Sequence, residues 1–331
     1  MFLLKIWKRD LRDKKENYMS TLSNKNINVT INSIMNYRIS LTFLCISSLS
    51  LFTPFLQAQP IVPIQITDEG HILVKAKING VEGNFIFDTG GGLTLCTETF
   101  AAKVSGLVKQ DGSFTVFRAT GEKIDLDMYS AKELTIGNYT QKAFTLTIID
   151  ADFGEIDGLI SLMSFQHQPF TIDFEQKKIF IETKKNVSKR KKTGFTIPLQ
   201  LETGRDKALD IFAYFTVNNK LTLQFCLDSG AGNDVFRINS KFMLQLGIDT
   251  TRSQLVVKTQ KQSEFNPNYK TSIYKATVSK LSAKDNIAIK KENFTAHFID
   301  GLIYDGVVSI NWIGRQITFD LGKSEMIVLR N

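Results

Sequence analysis

The sequence predicts an all-β protein made of two similar lobes. Three observations predict it. Apolar residues alternate, or cluster in runs of about four to eight bounded by turn residues, as strands do. Helical periodicity is confined to short stretches, Glu98 to Leu107 and Asn239 to Leu246. The order of elements in the first half then returns in the second.

The composition permits a large packed core. Of 331 residues, 43% are hydrophobic and 22% charged, which excludes a disordered chain. Three cysteines are too few for a disulfide scaffold or a four-cysteine zinc site. The histidines, His71, His167 and His297, lie far apart in sequence and none has a HExxH spacing, so a His-rich metal site is not expected, and nothing else in the sequence implies a cofactor. The net charge of +8 is concentrated. Residues 1–58 hold eight bases and three acids, and six more bases sit between Lys184 and Lys192. The body therefore has no spread basic face of the kind that neutralises phosphates, and no nucleic-acid partner is expected.

Residues 1–58 read as a targeting region. The stretch Ile39 to Phe55 carries no charge, Arg38 precedes it, and Leu56-Gln57-Ala58 follows. A basic residue, an apolar segment and a small residue before Gln59 describe a secretory signal peptide. Residues 1–34 are polar and too long for the usual n-region, so translation is expected to begin at Met35. The alternative is an uncleaved N-terminal membrane anchor, because the apolar stretch is at the lower bound of a span. An exported protein, periplasmic or secreted, follows from the signal reading.

Beyond Gln59 the strands come in order. Ile72 to Ile78 partly alternates, Asn79-Gly80 signals a tight hairpin, and Asn84 to Phe87 returns. The return strand runs into Asp88-Thr89-Gly90-Gly91-Gly92. In the second half Phe225-Cys226-Leu227 runs into Asp228-Ser229-Gly230-Ala231-Gly232, and a turn asparagine, Asn79 or Asn219, stands nine residues before each Asp. Ile156 to Ser161 is matched by Tyr304 to Ser309. Each is followed by a hairpin, Phe170–Phe174 with Lys178–Ile181 and Gln316–Asp320 with Met326–Leu329. This is a tandem duplication. It divides the chain into a first lobe at 63–183, a basic linker at 184–195 and a second lobe at 196–331.

Paired Asp-Thr-Gly and Asp-Ser-Gly, each after an apolar strand and each followed by an apolar-apolar-small segment, resemble the aspartic proteases. The lobes are closest in size to retropepsin-type lobes fused in one chain. The resemblance implies a bilobal acid-protease fold and an endopeptidase acting on peptides or proteins. It implies that Asp88 and Asp228 share one proton. One then activates water while the other polarises the scissile carbonyl. It further implies that Thr89 and Ser229 brace the loops, that Gly90 and Gly230 allow the turn, and that Ala119, Thr120 and Gly121 lie at the tip of a substrate-covering flap. A monomer is expected.

The chain departs from the family at two places. The small residue is Ser161 and Ser309 rather than glycine, and an added hydroxymethyl could crowd the Asp loops. That supports an alternative, a peptide-binding protein of the cell envelope without turnover. Gly91 and Ala231 lack a hydroxyl near the carboxylates, so the pair should keep its proton to higher pH, with an optimum at roughly pH 5 to 6.5. The remaining features have structural readings. Cys96 and Cys226 are expected as unpaired buried thiols. Asp173 and Asp320 are expected to cap or pair within their own lobes. The segment Lys258 to Tyr269 is expected to be a polar loop.

Overall fold

The computed structural model describes residues 59–249, 251, 256–263 and 268–329. The targeting region, Met35 and the Ala58–Gln59 junction fall wholly or partly outside them.

The first half contains β1 (Ile61–Ile66), β2 (Ile72–Ile78), β3 (Val81–Asp88), β4 (Leu95–Thr97), α1 (Glu98–Ala101), β5 (Val108–Phe117), β6 (Lys123–Ile136), β7 (Tyr139–Ile149), β8 (Gly158–Ser161), β9 (Phe170–Asp173) and β10 (Lys178–Ile181). After α2 (Lys184–Thr193) and β11 (Gly194–Pro198) come β12 (Gln200–Gly204), β13 (Ala208–Val217), β14 (Leu221–Asp228), β15 (Phe236–Asn239), β16 (Val257–Gln262), β17 (Lys270–Ala283), β18 (Lys290–Ile299), β19 (Gly306–Ser309), β20 (Gln316–Asp320) and β21 (Glu325–Leu329). The protein is nearly all β. The predicted helical stretches shrink to the four residues of α1 and a 3-10 turn at Ser240–Phe242.

The duplication is a repeat of connectivity. In the first half the strand order β2-β3-β8-β4-β7-β6 closes on itself because β2 also pairs β6. In the second half β13-β14-β19-β15-β18-β17 closes in the same way, through β13 and β17. Two pairings in each ring are parallel, β3 with β8 and β4 with β7, then β14 with β19 and β15 with β18. Alternation along β2 buries Ile72, Val74, Ala76 and Ile78. The ends of β3 and β14 are buried on both faces, which is why they read as unbroken apolar runs.

Structure corrects one equivalence. The turn after β2 has two residues, Asn79 and Gly80, between paired Ile78 and Val81. The turn after β13 has three, between Val217 and Leu221. Asn79 Oδ1 accepts the Lys132 amide at 2.8 Å, and Asn218 Oδ1 accepts the Ser279 amide at 2.9 Å. Asn218, not Asn219, is therefore the counterpart of Asn79.

A sheet of six strands, β11-β21-β20-β9-β10-β1, interleaves both halves. Here the 184–195 linker is corrected. Thr183 Oγ1 caps α2 by accepting the Asn186 amide at 3.2 Å, and Val187 is buried. Arg190 pairs with buried Glu182 at 2.7 Å and Lys191 with Glu325 at 2.5 Å, so the basic run is a docked helix. β11 begins inside the same span. Asp173 caps its own hairpin turn as expected, its Oδ1 accepting the Gln176 amide at 2.8 Å, and its Oδ2 also accepts Gln316 Nε2 from the other half at 2.7 Å. Asp320 pairs locally, with Lys323 at 3.7 Å. Phenylalanines fill the core: Phe87 meets Phe165 and Phe170 edge-on, and Phe170 stacks on Phe319.

Candidate active site

The parallel ladders set the two aspartates. Phe85 to Asp88 pairs with Gly158 to Ser161, and Phe225 to Asp228 pairs with Gly306 to Ser309, residue for residue. Each Asp thus ends a buried strand at the same register.

The loops that follow are bonded to each other. The Thr89 hydroxyl donates to the Leu227 carbonyl at 2.7 Å and accepts the Ser229 amide at 2.9 Å. The Ser229 hydroxyl donates to the Phe87 carbonyl at 2.8 Å and accepts the Thr89 amide at 3.0 Å. Thr89 and Ser229 are both buried. The glycines let the carboxylates approach. A Cβ on Gly90 would lie 2.7 Å from Asp228 Cγ, and one on Gly230 would lie 2.4 Å from Asp88 Cγ. All six residues named from the repeat are therefore in one place.

The electrostatics follow from that place. Burial pushes the Asp88 carboxyl up to about 8, and the neighbouring Asp228 charge adds to the rise. The Gly90 amide, donating to Asp88 Oδ1 at 2.9 Å, works in the opposite direction. Asp228 Oδ1 is buried without a hydrogen-bond partner among the described residues. The pair is suited to holding a single proton.

Ser161 and Ser309 do not crowd the loops. The Ser161 hydroxyl lies 3.2 Å from the Thr94 hydroxyl, and Thr94 Oγ1 accepts the Ser161 amide at 3.1 Å. The Ser309 hydroxyl accepts the Val235 amide at 3.0 Å. Each hydroxymethyl fastens the chain beyond its Asp. Cys96 and Cys226 are free and buried, and burial pushes the Cys96 thiol up to about 12.

β5 and β6 form the expected hairpin, closed by the Arg118 amide donating to the Glu122 carbonyl at 2.8 Å. Its tip reaches the second half. The Ala119 carbonyl accepts the Ile303 amide at 3.0 Å, and the Thr120 carbonyl accepts the Tyr269 hydroxyl. Glu122, buried, pairs with Arg118 at 2.9 Å and accepts the Ser263 hydroxyl at 2.6 Å. The sequence places Ala119-Thr120-Gly121-Glu122 at the tip but carries no sign of the latch, in which Arg118 and Glu122 meet Ser263 and the Thr120 carbonyl meets Tyr269. The counterpart expected as a loop is the β16–β17 hairpin, although residues 264–267 fall outside the described ones. Glu122→Gln removes the charge from this latch. The Ile303 amide should then exchange with deuterium about tenfold to a hundredfold faster, since a charge-assisted bond contributes roughly 1.5–3 kcal/mol. Unchanged exchange would show that Glu122 does not hold the tip.

Residues 74–163 match the family model described as aspartyl protease. That segment belongs to the aspartyl protease family. It contains Asp88, Thr89 and Gly90 and runs just past Ser161, so it covers the first Asp loop and the strand beneath it. The second half, with Asp228, lies outside the match. No curated protein matches the chain.

Proposed function

We propose that this protein is an exported, bilobal aspartic endopeptidase whose site lies between the lobes at 63–183 and 196–331. The observation that carries the reading is the reciprocal bonding of Thr89 and Ser229, which draws two like loops together and leaves two carboxylates side by side. Two carboxylates so close cannot both ionise, and they share a proton.

The chemistry uses both states. The ionised carboxylate takes a proton from water as its oxygen bonds to the scissile carbonyl carbon. The protonated one gives its proton to the carbonyl oxygen. In the second step the C–N bond breaks, the oxygen's proton returns to a carboxylate, and the amine leaves with the other proton. The acid product keeps the water's oxygen and one proton, the amine product carries the other proton, and the carboxylate pair is restored. The hairpin tip at Ala119 to Gly121 covers an extended peptide and excludes solvent. The alternative of binding without turnover rested on Ser161 and Ser309, whose hydroxyls are bonded away from the aspartates.

The test is incubation of the purified protein with a mixed peptide library across pH. Cleavage is expected, with kcat/KM falling at low pH as the second carboxylate takes a proton. It should fall again above about pH 8, where the shared proton leaves Asp88. That alkaline limb lies above the optimum read from Gly91 and Ala231 alone, because burial adds to the missing hydroxyls. An alkaline limb already below about pH 6 would contradict the shared-proton assignment. No cleavage at any pH would remove the proposal.

A further inference from the structure

His71 and Asp210 occupy equivalent positions. Counting back seven residues from Ile78 and from Val217, which end β2 and β13 at matching ladder positions, reaches them. Each packs on the glycine four residues beyond the other half's aspartate. A Cβ on Gly232 would lie 3.3 Å from His71 Nε2, and one on Gly92 would lie 3.2 Å from Asp210 Oδ1. The two flanks of the site therefore carry different chemistry at the same place.

On the Asp210 flank the charges are unmatched. The register of β13 with β14, carried two residues past Phe212 and Cys226, sets Asp210 beside Asp228. Glu202 stands directly opposite Asp210 on β12. Like charges across a ladder are destabilising unless a cation joins them. Neither carboxylate has a hydrogen-bond or ion-pair partner among the described residues. The bases between them in the chain are turned elsewhere, Lys207 to Gln110 and Arg205 over the Phe114 ring at 5.6 Å. Burial, Glu202 and Asp228 push the Asp210 carboxyl up to about 6, as expected of an acid lacking its counter-charge. One strand away, Asp228 Oδ1 is a buried polar atom also without a partner. On the other flank His71 is 6% exposed, and burial lowers its basicity, so it presents a neutral ring.

We infer that Asp210, beside the Asp pair and across the ladder from Glu202, makes the enzyme select a lysine or arginine side chain on one side only of the scissile bond. This rests on the peptidase reading. A substrate strand advances about 3.3 Å per residue, so the selected residue falls within about three residues of the bond cut. Its cation supplies the missing partner to a half-buried carboxylate. The neutral His71 flank makes no such demand, and the preference has a direction.

The experiment compares peptides that differ only by Lys or norleucine at the position enriched among products of the library. For the wild type, kcat/KM should favour the Lys peptide by about tenfold to a hundredfold. In Asp210→Asn that ratio should fall to about one, and Asp210→Glu should restore part of it. A ratio compares two substrates on one variant, so a general loss of folded protein does not move it. Binding of the same peptides to the Asp88→Asn protein separates two failures. Turnover of no peptide, with binding that still depends on Asp210, sinks the peptidase reading alone. A wild type indifferent to Lys, a preference that survives Asp210→Asn, or equal enrichment on both sides of the bond overturns this inference.

Discussion

Asp88→Asn and Asp228→Asn should each lower kcat/KM by about 10⁴-fold or more while leaving the fold intact. Acid and base contributions of about 10²–10⁴ each depend on one proton passing between two carboxylates. An amide can neither take the proton of the attacking water nor give one to the carbonyl oxygen. The fold should survive because the side-chain oxygen of the introduced asparagine can still accept the Gly90 amide, which Asp88 accepts at 2.9 Å. Stability adds a second readout. Asp88 has a folded pKa of about 8, raised from an ordinary 3.8. The folded state therefore binds its proton more tightly than the unfolded chain. The wild type is favoured by that proton at low pH and loses the benefit as pH rises from about 4 to about 8. An asparagine side chain carries no such dependence. The melting temperature of Asp88→Asn should overtake the wild type across that window. Near-wild-type turnover in either variant, or an Asp88→Asn protein less stable than wild type at pH 8, would count against a shared-proton pair.

Both aspartates were legible because the repeat is written in side chains that strands and turns require. An apolar run, an Asp and a small-residue loop recur at a spacing of 140, and the parallel ladders to Ser161 and Ser309 recur with them. The rest of the site is carried by residues distant in sequence. Ser263 meets Glu122 across 141 positions, and no local pattern announces it. The pairing of His71 with Asp210 is hidden by one added residue in the turn after β13, which shifts the offset before that turn from the one between the aspartates. α2 was misread for a different reason. Its six bases suggest a solvated run, but Thr183 caps it, Val187 buries one face, and buried Glu182 gives Arg190 a partner. Charge alone does not report where a long side chain can reach.

Thr89→Val should destabilise the protein by about 2–5 kcal/mol, because it exchanges a hydroxyl for a methyl group of similar volume. The side chain is fully buried. Its oxygen serves two backbone groups of the other half, the Leu227 carbonyl at 2.7 Å and the Ser229 amide at 2.9 Å. With valine both are left buried and unpaired, and each orphan costs roughly 1–3 kcal/mol. For a domain of this size the melting temperature should drop by about 5–15 °C. Thr89→Ser retains the hydroxyl and should lose far less, which separates the bonds from the methyl packing. Ser229→Ala should act in the same direction, since its hydroxyl serves the Phe87 carbonyl and the Thr89 amide at the matching place. The double variant should cost less than the sum of the two. Once one hydroxyl is gone the loops part, and the surviving pair of bonds is already weakened. Turnover should fall further than stability does, because the carboxylates share a proton only at close range, and a displacement of about 1 Å can cost about a hundredfold. Thermal denaturation and kcat of the folded fraction, measured on the same samples, test both. A Thr89→Val protein with unchanged melting would mean that the loops are held together by something other than these four bonds.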